Sequence, residues 1–259
     1  AQRSGTSAVS HVLSQFGVDF GNRDRFIQFD HNPIFFELNW VNELNNKIIN
    51  ALGHQYTDFF LPIESDFQSA NTTEIELRLE TLIEQEWNGD AVIGIKDPRI
   101  SLTFPIWEKV LLQTGYQPQI ILAFRRPVNF LKSNQRLFHN WQGWTVERHL
   151  NFWLQLNLSA AYFCRDSEIC YLNYEQLIHD PVSEITHLVN HFQLDESKIS
   201  DAADVIQSNQ MHHQSQEKTG IAFVDRCYHL LEQRSLSPTE YLYFRSRLQE
   251  QPAIASAIN

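Results

Sequence analysis

The chain of 259 residues has few cysteines, no long apolar run and a deficit of positive charge. Its three cysteines, Cys164, Cys170 and Cys227, do not suggest a disulfide framework, which favours a reducing, cytoplasmic location. No run approaches the roughly 18 apolar residues of a membrane-spanning helix. Lysine and arginine number 20 against 31 aspartate and glutamate, and the net charge of −11 argues against a general nucleic-acid binder. A small anionic ligand is still compatible with this charge, because only the local field in its cleft matters.

A Walker phosphate motif, which needs Gly-Lys followed by Ser or Thr, is also missing from the sequence. The chain begins instead with Arg3-Ser4-Gly5-Thr6-Ser7, where the basic residue precedes the glycine. Apolar residues from Val9 to Phe16 recur at helical spacing, so we predict a tight turn at Gly5 that leads into a helix. A helix N-terminus attracts anions and Arg3 adds a positive charge, which predicts an anion site. No strand and no initiator Met precede this loop, so we expect that a first strand, and with it any targeting segment, is missing.

Strands and helices alternate along the rest of the chain. Short apolar runs predict buried strands at 91–95, 119–124 and 168–174. Helical periodicity predicts helices at 38–52, 73–87, 104–114, 127–140, 145–163 and 181–192, with a long loop at 53–72 and a helix-rich part from 196 onward. This order predicts an α/β fold, a P-loop-like parallel sheet flanked by helices, in a single domain over 1–259.

Three basic loops are expected at one edge of this sheet. Ligands of parallel sheets bind beyond the carboxyl ends of the strands. Lys96-Asp97-Pro98-Arg99 and Arg125-Arg126-Pro127 each follow a predicted strand, and Arg3 lies in the first loop. An acidic protein that gathers its basic side chains there is predicted to have an anion pocket.

These loops resemble the cofactor-binding segments of sulfotransferases that use 3′-phosphoadenosine 5′-phosphosulfate (PAPS). Arg3-Ser4-Gly5-Thr6-Ser7 is similar to their 5′-phosphosulfate loop. Arg125-x-Pro127 with Ser133, eight residues after Arg125, is similar to the pair that holds the 3′-phosphate of PAPS. Arginine forms bidentate, charge-assisted bonds to phosphate. Ser133 could reach the same group only if the chain between them is not one straight helix, so a bend or a non-helical start is expected.

Two further segments carry the same resemblance. Lys96-Asp97-Pro98 resembles a Lys-Asp-Pro segment in which the lysine faces the transferred sulfuryl group, and Lys96 would neutralise charge on the bridging oxygen. The segment 171–177, followed by Asp180-Pro181, is similar to the Tyr-Glu-Asp-Leu…Asp-Pro segment of the family. The resemblance implies that Tyr174 contacts the adenine, while Gln176 takes the place of the usual acid and Glu175 is open to a purely structural role.

The general base has two candidates. The segment 32–37, Asn-Pro-Ile-Phe-Phe-Glu, resembles the Asn-Pro-x-Gly-x-x-Glu of bacterial family members, with Phe35 where glycine is common. The resemblance makes Glu37 the base for an acceptor hydroxyl, and His31 is its rival. Burial beside the phenylalanines would raise the pKa of Glu37 and cationic neighbours would lower it. The alternative for Glu37 is a stabilising role at a helix N-terminus.

The resemblance covers residues 1–192 and implies a PAPS-dependent sulfotransferase. Such an enzyme transfers a sulfuryl group to an acceptor hydroxyl, releases adenosine 3′,5′-bisphosphate and needs no metal. Arg3 and Lys96 would stabilise the leaving group. The acceptor could be a carbohydrate, a lipid headgroup or a small metabolite. A P-loop kinase and a nucleotide-binding module without catalysis are the alternative functions.

Overall fold

The computed structural model describes residues 2–28, 35–87, 92–137, 143–206, 217–233 and 237–250. Within these ranges two strands, β1 (Ile120–Phe124) and β2 (Ile169–Asn173), form a parallel sheet in which Leu122 lies opposite Tyr171. The α-helices in chain order are α1 (Thr6–Gln15), α2 (Asn39–Ala51), α3 (Glu64–Ser69), α4 (Thr73–Glu86), α5 (Ile100–Gln113), α6 (Pro127–Leu137), α7 (Val146–Phe163), α8 (Tyr174–His179), α9 (Pro181–Phe192), α10 (Ile199–Asp204), α11 (Ala222–Glu232) and α12 (Pro238–Glu250).

Helices cover both faces of this sheet. Alternate residues of β1 point to opposite sides and therefore pack into two different cores. Leu122 and Phe124 lie in a large hydrophobic core together with buried side chains of α5 and α7. Ala123 lies in a second core with residues of α1 and α9. The residues of α7 from His149 to Phe163 are all buried, so this helix runs through the larger core. The predicted mixed α/β class is confirmed, and the described part of the chain is mostly helical.

Local sequence signals determine where several helices begin. Gly5 precedes α1 with a φ of 76°, a conformation that glycine adopts without strain. The side chain of Thr145 accepts a hydrogen bond from the backbone N–H of Arg148 at the start of α7. Asp180 caps α9 in the same way by accepting from the N–H of Ser183. Helices form near all of the ranges predicted from periodicity, with residues 138–140 of the fourth outside the described part of the chain.

The strand predicted at 91–95 is wrong for residues 92–95, the part that the structure describes. Ile93 forms an isolated parallel bridge with Asp19, and Val92 is 65% exposed. The bridge consists of hydrogen bonds from the Asp19 N–H to the Val92 carbonyl at 2.9 Å and from the Gly94 N–H to the Asp19 carbonyl at 2.7 Å. An apolar run becomes a strand only where a neighbouring strand continues the ladder of hydrogen bonds. Within the described ranges, Asp19 does not supply that continuation.

The loop predicted at 53–72 contains the short helix α3. The Asp66 carboxylate accepts a hydrogen bond from the N–H of Ile63 at 2.8 Å, which satisfies a donor at the helix start. Phe67, on the same helix, packs edge-on against Phe163 of α7. This contact with the core explains why a segment without clear periodicity becomes partly helical.

Candidate functional site

Residues 3–7, called the Arg3 loop below, lie where β1 and residues 92–95 end. The backbone is left-handed at Arg3, with φ 57°, and at Gly5, with φ 76°, so the loop turns tightly. Lys96 Nζ donates a hydrogen bond to Ser7 Oγ at 3.2 Å. Arg125, directly after β1, donates from a guanidinium N–H to the carbonyl of Arg3 at 3.4 Å. The three basic loops expected at this edge therefore meet around the Arg3 loop.

Arg3 contacts a residue far away in sequence. Its Nε donates a hydrogen bond to Ser133 Oγ at 3.2 Å. Ser133 is buried on α6, which begins at Pro127, so Arg125 lies before the helix rather than on it. The non-helical start expected between Arg125 and Ser133 is present.

Arg3 and Arg125 repel each other in this arrangement. Burial and the positive charge of Arg125 lower the pKa of Arg3, and Arg136 adds to this effect. Arginine nevertheless keeps its proton at neutral pH. Clustered guanidinium groups of this kind are costly unless negative charge lies nearby, and they provide the charge-assisted donors that an anion such as phosphate accepts.

Glu175 supplies part of the negative charge and positions Arg125. Its Oε1 lies 3.4 Å from Arg125 Nε. The same carboxylate accepts hydrogen bonds from the backbone N–H of Arg126 at 3.2 Å and from the side-chain amide of Asn129 at 2.9 Å. Glu175 therefore connects the end of β1 and the first turn of α6 to α8.

The ring of Tyr174 packs against the Arg3 loop at Gly5. A Cβ atom added to Gly5 would overlap the Tyr174 ring, so only glycine fits there. The guanidinium of Arg125 lies over the same ring, 5.0 Å from its centre. Burial raises the pKa of Tyr174, so the phenol is neutral at physiological pH. Tyr174 thus fixes the distance between the loop and Arg125.

Lys96 and Glu37 form a buried ion pair beside Ser7. Lys96 Nζ lies 2.7 Å from Glu37 Oε1, and their side chains are 9% and 6% exposed. Nζ also donates to the carbonyl of Phe35 at 2.9 Å and lies 3.9 Å from the centre of the Phe35 ring. Together with Ser7 Oγ, the ammonium has three oxygen acceptors for its three N–H donors.

Burial shifts the pKa values of Glu37 and Lys96 in the directions that favour the neutral form of each group. Burial raises the pKa of Glu37 to about 7, although the charge of Lys96 opposes the shift. Burial lowers the pKa of Lys96, and the charge of Glu37 opposes that shift. A carboxyl group whose pKa lies near neutrality can exchange a proton with a substrate at physiological pH.

Glu37 does not belong to the helix that follows it. α2 begins at Asn39, with Leu38 as its N-cap residue, so Glu37 lies just before the helix. The backbone of Glu37 is held by a hydrogen bond from the N–H of Ile27 at 2.7 Å. Phe36 has a φ of 57°, which is unusual for a bulky residue, and its buried ring packs edge-on against Phe20. The chain before α2 therefore follows a tertiary path that directs the carboxylate toward Lys96.

Arg99 and Asp97 complete the loop that begins at Lys96. The Asp97 carboxylate accepts a hydrogen bond from the backbone N–H of Arg99 at 2.7 Å, and it lies 3.3 Å from the guanidinium of Arg99. The guanidinium of Arg99 also lies over the Tyr56 ring, 4.1 Å from its centre. Tyr56 donates a hydrogen bond to the side-chain oxygen of Gln2 at 2.8 Å. This chain of contacts links the Lys96 loop to the residue before the Arg3 loop.

Three residues of the site were not assigned there from the sequence. Arg136 lies three positions after Ser133 on α6, a spacing that places both on one side of a helix and that could have revealed it. Glu175 directly follows Tyr174 in the sequence, and this position beside a predicted ligand contact was the available signal. Phe35 contributes its carbonyl oxygen and ring to Lys96, and sequence carries no signal for a backbone acceptor.

Of the other predicted site residues, Ser4 and Thr6 lie in the Arg3 loop, where neither has a charged partner among the described residues. Ser4 is buried and donates from its Oγ to the Gln2 carbonyl at 3.5 Å. Thr6 is the first residue of α1. His31, the rival base, lies outside the described residues.

Neither a membrane-spanning helix nor a cluster of metal ligands is present among the described residues. No helix among them is both long and apolar enough to cross a membrane. No group of three or more His, Cys, Asp or Glu side chains among them could hold a metal ion.

Comparison of the chain with protein-family models, curated proteins and solved structures finds no match. Its function must therefore be argued from the side chains that meet around the Arg3 loop. Arg125 and Ser133 contact Arg3 at the start of this loop, and Tyr174 packs against Gly5. Lys96, paired with Glu37, contacts Ser7 at its end.

Proposed function

We propose that this protein is a sulfotransferase that moves a sulfuryl group from PAPS to an acceptor hydroxyl, such as that of a carbohydrate. The observation that carries the proposal is the meeting of two chemically different groups at one loop. A pair of arginines with a serine suits phosphate binding. A lysine paired with a carboxylate of raised pKa suits charge neutralisation and proton transfer.

The donor set fits a ligand that has anionic groups at both ends of a ribose. Arg3 and the loop residues Ser4 to Ser7 would hold the 5′-phosphosulfate. Arg125 and Ser133 would hold the 3′-phosphate. Burial and, after it, the charge of Arg125 lower the pKa of Arg3. An anion between the two guanidinium groups would offset their repulsion, which favours such a ligand. Tyr174 offers an aromatic ring for the adenine beside this site.

PAPS supplies the sulfuryl group, and the side chains of this protein would control charge and protons around it. Glu37 would accept the proton of the acceptor hydroxyl as its oxygen bonds to sulfur. Lys96 and Arg3 would neutralise the charge that grows on the oxygen leaving as part of adenosine 3′,5′-bisphosphate. Preorganised charges that act mainly in the transition state raise turnover rather than substrate affinity.

Lys96 must give up a contact to do this. Its three N–H donors are directed at Glu37, the Phe35 carbonyl and Ser7 Oγ. The contact with Ser7, at 3.2 Å, is the longest of the three. Ser7 belongs to the loop proposed to hold the phosphosulfate, so binding there would replace this contact by one between Lys96 and the ligand.

The test is a transfer assay on the purified protein with labelled PAPS. The acceptor panel should contain sugars, lipid headgroups and small hydroxylated metabolites, with ATP as an alternative donor. Transfer of label from PAPS, abolished by adenosine 3′,5′-bisphosphate, is the expected result. Phosphoryl transfer from ATP would indicate a kinase instead. Tight nucleotide binding without transfer to any acceptor would indicate a nucleotide-binding module.

A further inference from the structure

Three aromatic rings lie in a row that leads from the Lys96 loop to the start of α7. The ring of Tyr56 packs edge-on against Phe152, with the ring centres 5.1 Å apart. Phe152 packs edge-on against Trp144 in turn, with the centres 5.6 Å apart. Phe152 is buried, whereas Tyr56 and Trp144 are half-buried. The two outer rings of this aromatic row are therefore accessible from solvent.

The Tyr56 end of the aromatic row belongs to the candidate site. The guanidinium of Arg99 lies over the Tyr56 ring at 4.1 Å, and the phenol donates a hydrogen bond to Gln2 at 2.8 Å. Burial raises the pKa of Tyr56 well above its ordinary value, and the negative charges of Asp97 and Glu37 add to this shift. The carboxylate of Glu37 is thus near the phenol. An acceptor hydroxyl that gives its proton to Glu37 would lie at this end of the row.

Arg148 lies at the other end of the aromatic row. Its guanidinium lies over the Trp144 ring, 4.6 Å from the centre. A guanidinium has five N–H donors, and the Thr57 carbonyl, at 3.5 Å, is the one acceptor of Arg148 in the described part of the chain. The Nε atom is buried and has no hydrogen-bond partner among the described residues. Arg148 therefore has donors to offer to a ligand.

The positive charge of Arg148 is also uncompensated. Six other arginines have a carboxylate oxygen at 2.7–3.8 Å, namely Arg25, Arg99, Arg125, Arg126, Arg165 and Arg226. Arg148 has none within the described ranges. It lies in the first turn of α7, where the helix dipole disfavours positive charge. After burial, the charge of Arg148 lowers the pKa of His149. An anionic ligand would explain this position, whereas helix stability does not.

We propose that the aromatic row is a subsite for the acceptor and that Arg148 binds a carboxylate of it, so that the acceptor is an acidic saccharide containing a uronic acid. This inference rests on the proposed function. The C–H faces of sugar rings are apolar and pack on aromatic side chains, and a guanidinium binds a carboxylate through two parallel hydrogen bonds. Tyr56 lies near Glu37 and its neighbour Thr57 contacts Arg148, so a short saccharide can span the two charged groups.

The first test measures binding, which requires no transfer. Disaccharides that contain glucuronic, galacturonic or mannuronic acid are titrated by calorimetry, each beside its uncharged methyl ester, with and without adenosine 3′,5′-bisphosphate. We expect an acid to bind about 10–100-fold more tightly than its ester, the value of a hydrogen bond to a charged group. Arg148→Gln should bind the acid no more tightly than the ester. Equal affinity of the natural protein for every acid and its ester would overturn the subsite.

Two variants control for net charge and for folding. Arg226→Gln makes the same change in charge at an exposed arginine of α11, which lies 3.8 Å from Glu240, and it should keep the preference for the acid. Arg148→Lys keeps the charge but lacks the planar fork of donors, so it should keep only part of the preference. A preference that survives fully in both Arg148 variants would also overturn the subsite.

A transfer assay with labelled PAPS then separates this subsite from the proposed function. We expect kcat/KM to favour the acid over its ester in the natural protein and to be equal for both in Arg148→Gln. Binding that depends on the carboxylate and on Arg148, without transfer from PAPS, would retain the subsite and overturn the sulfotransferase. Transfer to acids and esters with equal kcat/KM would retain the sulfotransferase and overturn the subsite.

Discussion

Arg3 Nε lies 3.2 Å from Ser133 Oγ, although 130 residues separate them in the chain. This contact joins the loop before α1 to the middle of α6. Arg125 contacts the carbonyl of the same arginine at 3.4 Å. The two guanidinium groups and the hydroxyl therefore surround one position, and this position is where the proposed 3′-phosphate and phosphosulfate sites adjoin.

The first prediction concerns the choice of nucleotide. We expect adenosine 3′,5′-bisphosphate to bind more tightly than AMP or ATP, because Arg125 and Ser133 form a site for a second phosphate. Arg125→Ala should weaken binding of the bisphosphate by about 10–100-fold, the value of a hydrogen bond to a charged group, while AMP binding changes little. Titration calorimetry measures both.

The control for this variant is Lys109→Ala. Lys109 is an exposed lysine of α5 that pairs with Glu76 at 2.7 Å, so its removal makes the same change in net charge away from the site. It should leave both affinities unchanged. Equal affinity of the natural protein for AMP and for the bisphosphate would remove the case for a 3′-phosphate site.

The second prediction concerns the space between Gly5 and Tyr174. Gly5→Ala should destabilise the protein and weaken bisphosphate binding, because the new Cβ overlaps the Tyr174 ring and the backbone is left-handed. Gly53→Ala is the matched control, since Gly53 has a φ of 83° and no atom near the position of a new Cβ. Denaturant unfolding should show a loss of about 1–2 kcal/mol for Gly53→Ala and more for Gly5→Ala. Equal losses with unchanged binding would show that the Tyr174 contact is unimportant.

Sequence reasoning succeeded where the signal is local. The pattern of apolar residues located α2, α4, α7 and α9 to within a few residues, since helical periodicity depends on near neighbours. The sequence also predicted the turn at Gly5 and the basic loops after the apolar runs, because each depends on a short motif.

It failed where a distant neighbour decides the outcome. Residues 92–95 have a strand-like composition, but their state depends on whether a paired strand lies beside them. The path that brings Glu37 to Lys96 depends on the packing of Phe36 and on a hydrogen bond from Ile27. Neither contact can be deduced from the motif that contains Glu37. The hydrogen bond from Lys96 to the Phe35 carbonyl could not be predicted either, because it also depends on the tertiary path of the chain.

The third prediction separates binding from chemistry at Lys96. Lys96→Met should lower turnover by about 10²–10³-fold, the usual cost of removing one group that stabilises transition-state charge. The KM for PAPS should change much less than turnover, because the charge that Lys96 neutralises grows mainly during transfer. Lys132→Met, at a half-exposed lysine of α6, should change neither quantity. A variant of Lys96 that only raises the KM would assign this residue to ground-state binding instead.

The fourth prediction concerns stability as a function of pH. Burial raises the pKa of Glu37 from 4.5 to about 7. Between these two pH values the carboxyl group holds a proton in the folded protein but has released it in the unfolded chain. The free energy of unfolding should therefore fall as the pH rises through this interval. Glu37→Gln should remove that decline, since its amide does not titrate. If denaturant unfolding depended on pH in the same way in both proteins, the pKa of the Glu37 carboxyl would not be raised in the folded state.

The last prediction assigns the base. A group that accepts the acceptor proton must be ionised, so kcat/KM should rise with pH up to about 7, where Glu37 loses its proton, and level off above it. Glu37→Gln should keep the hydrogen bond from Lys96 and the affinity for adenosine 3′,5′-bisphosphate. It should nevertheless lose at least about 10²-fold in turnover and lose the ascending limb. His31→Asn should retain both the turnover and the ascending limb of the pH profile. If Glu37→Gln is fully active while His31→Asn is not, the histidine accepts the proton, and the buried pair of Glu37 and Lys96 serves only to hold the Lys96 loop against the segment that precedes α2.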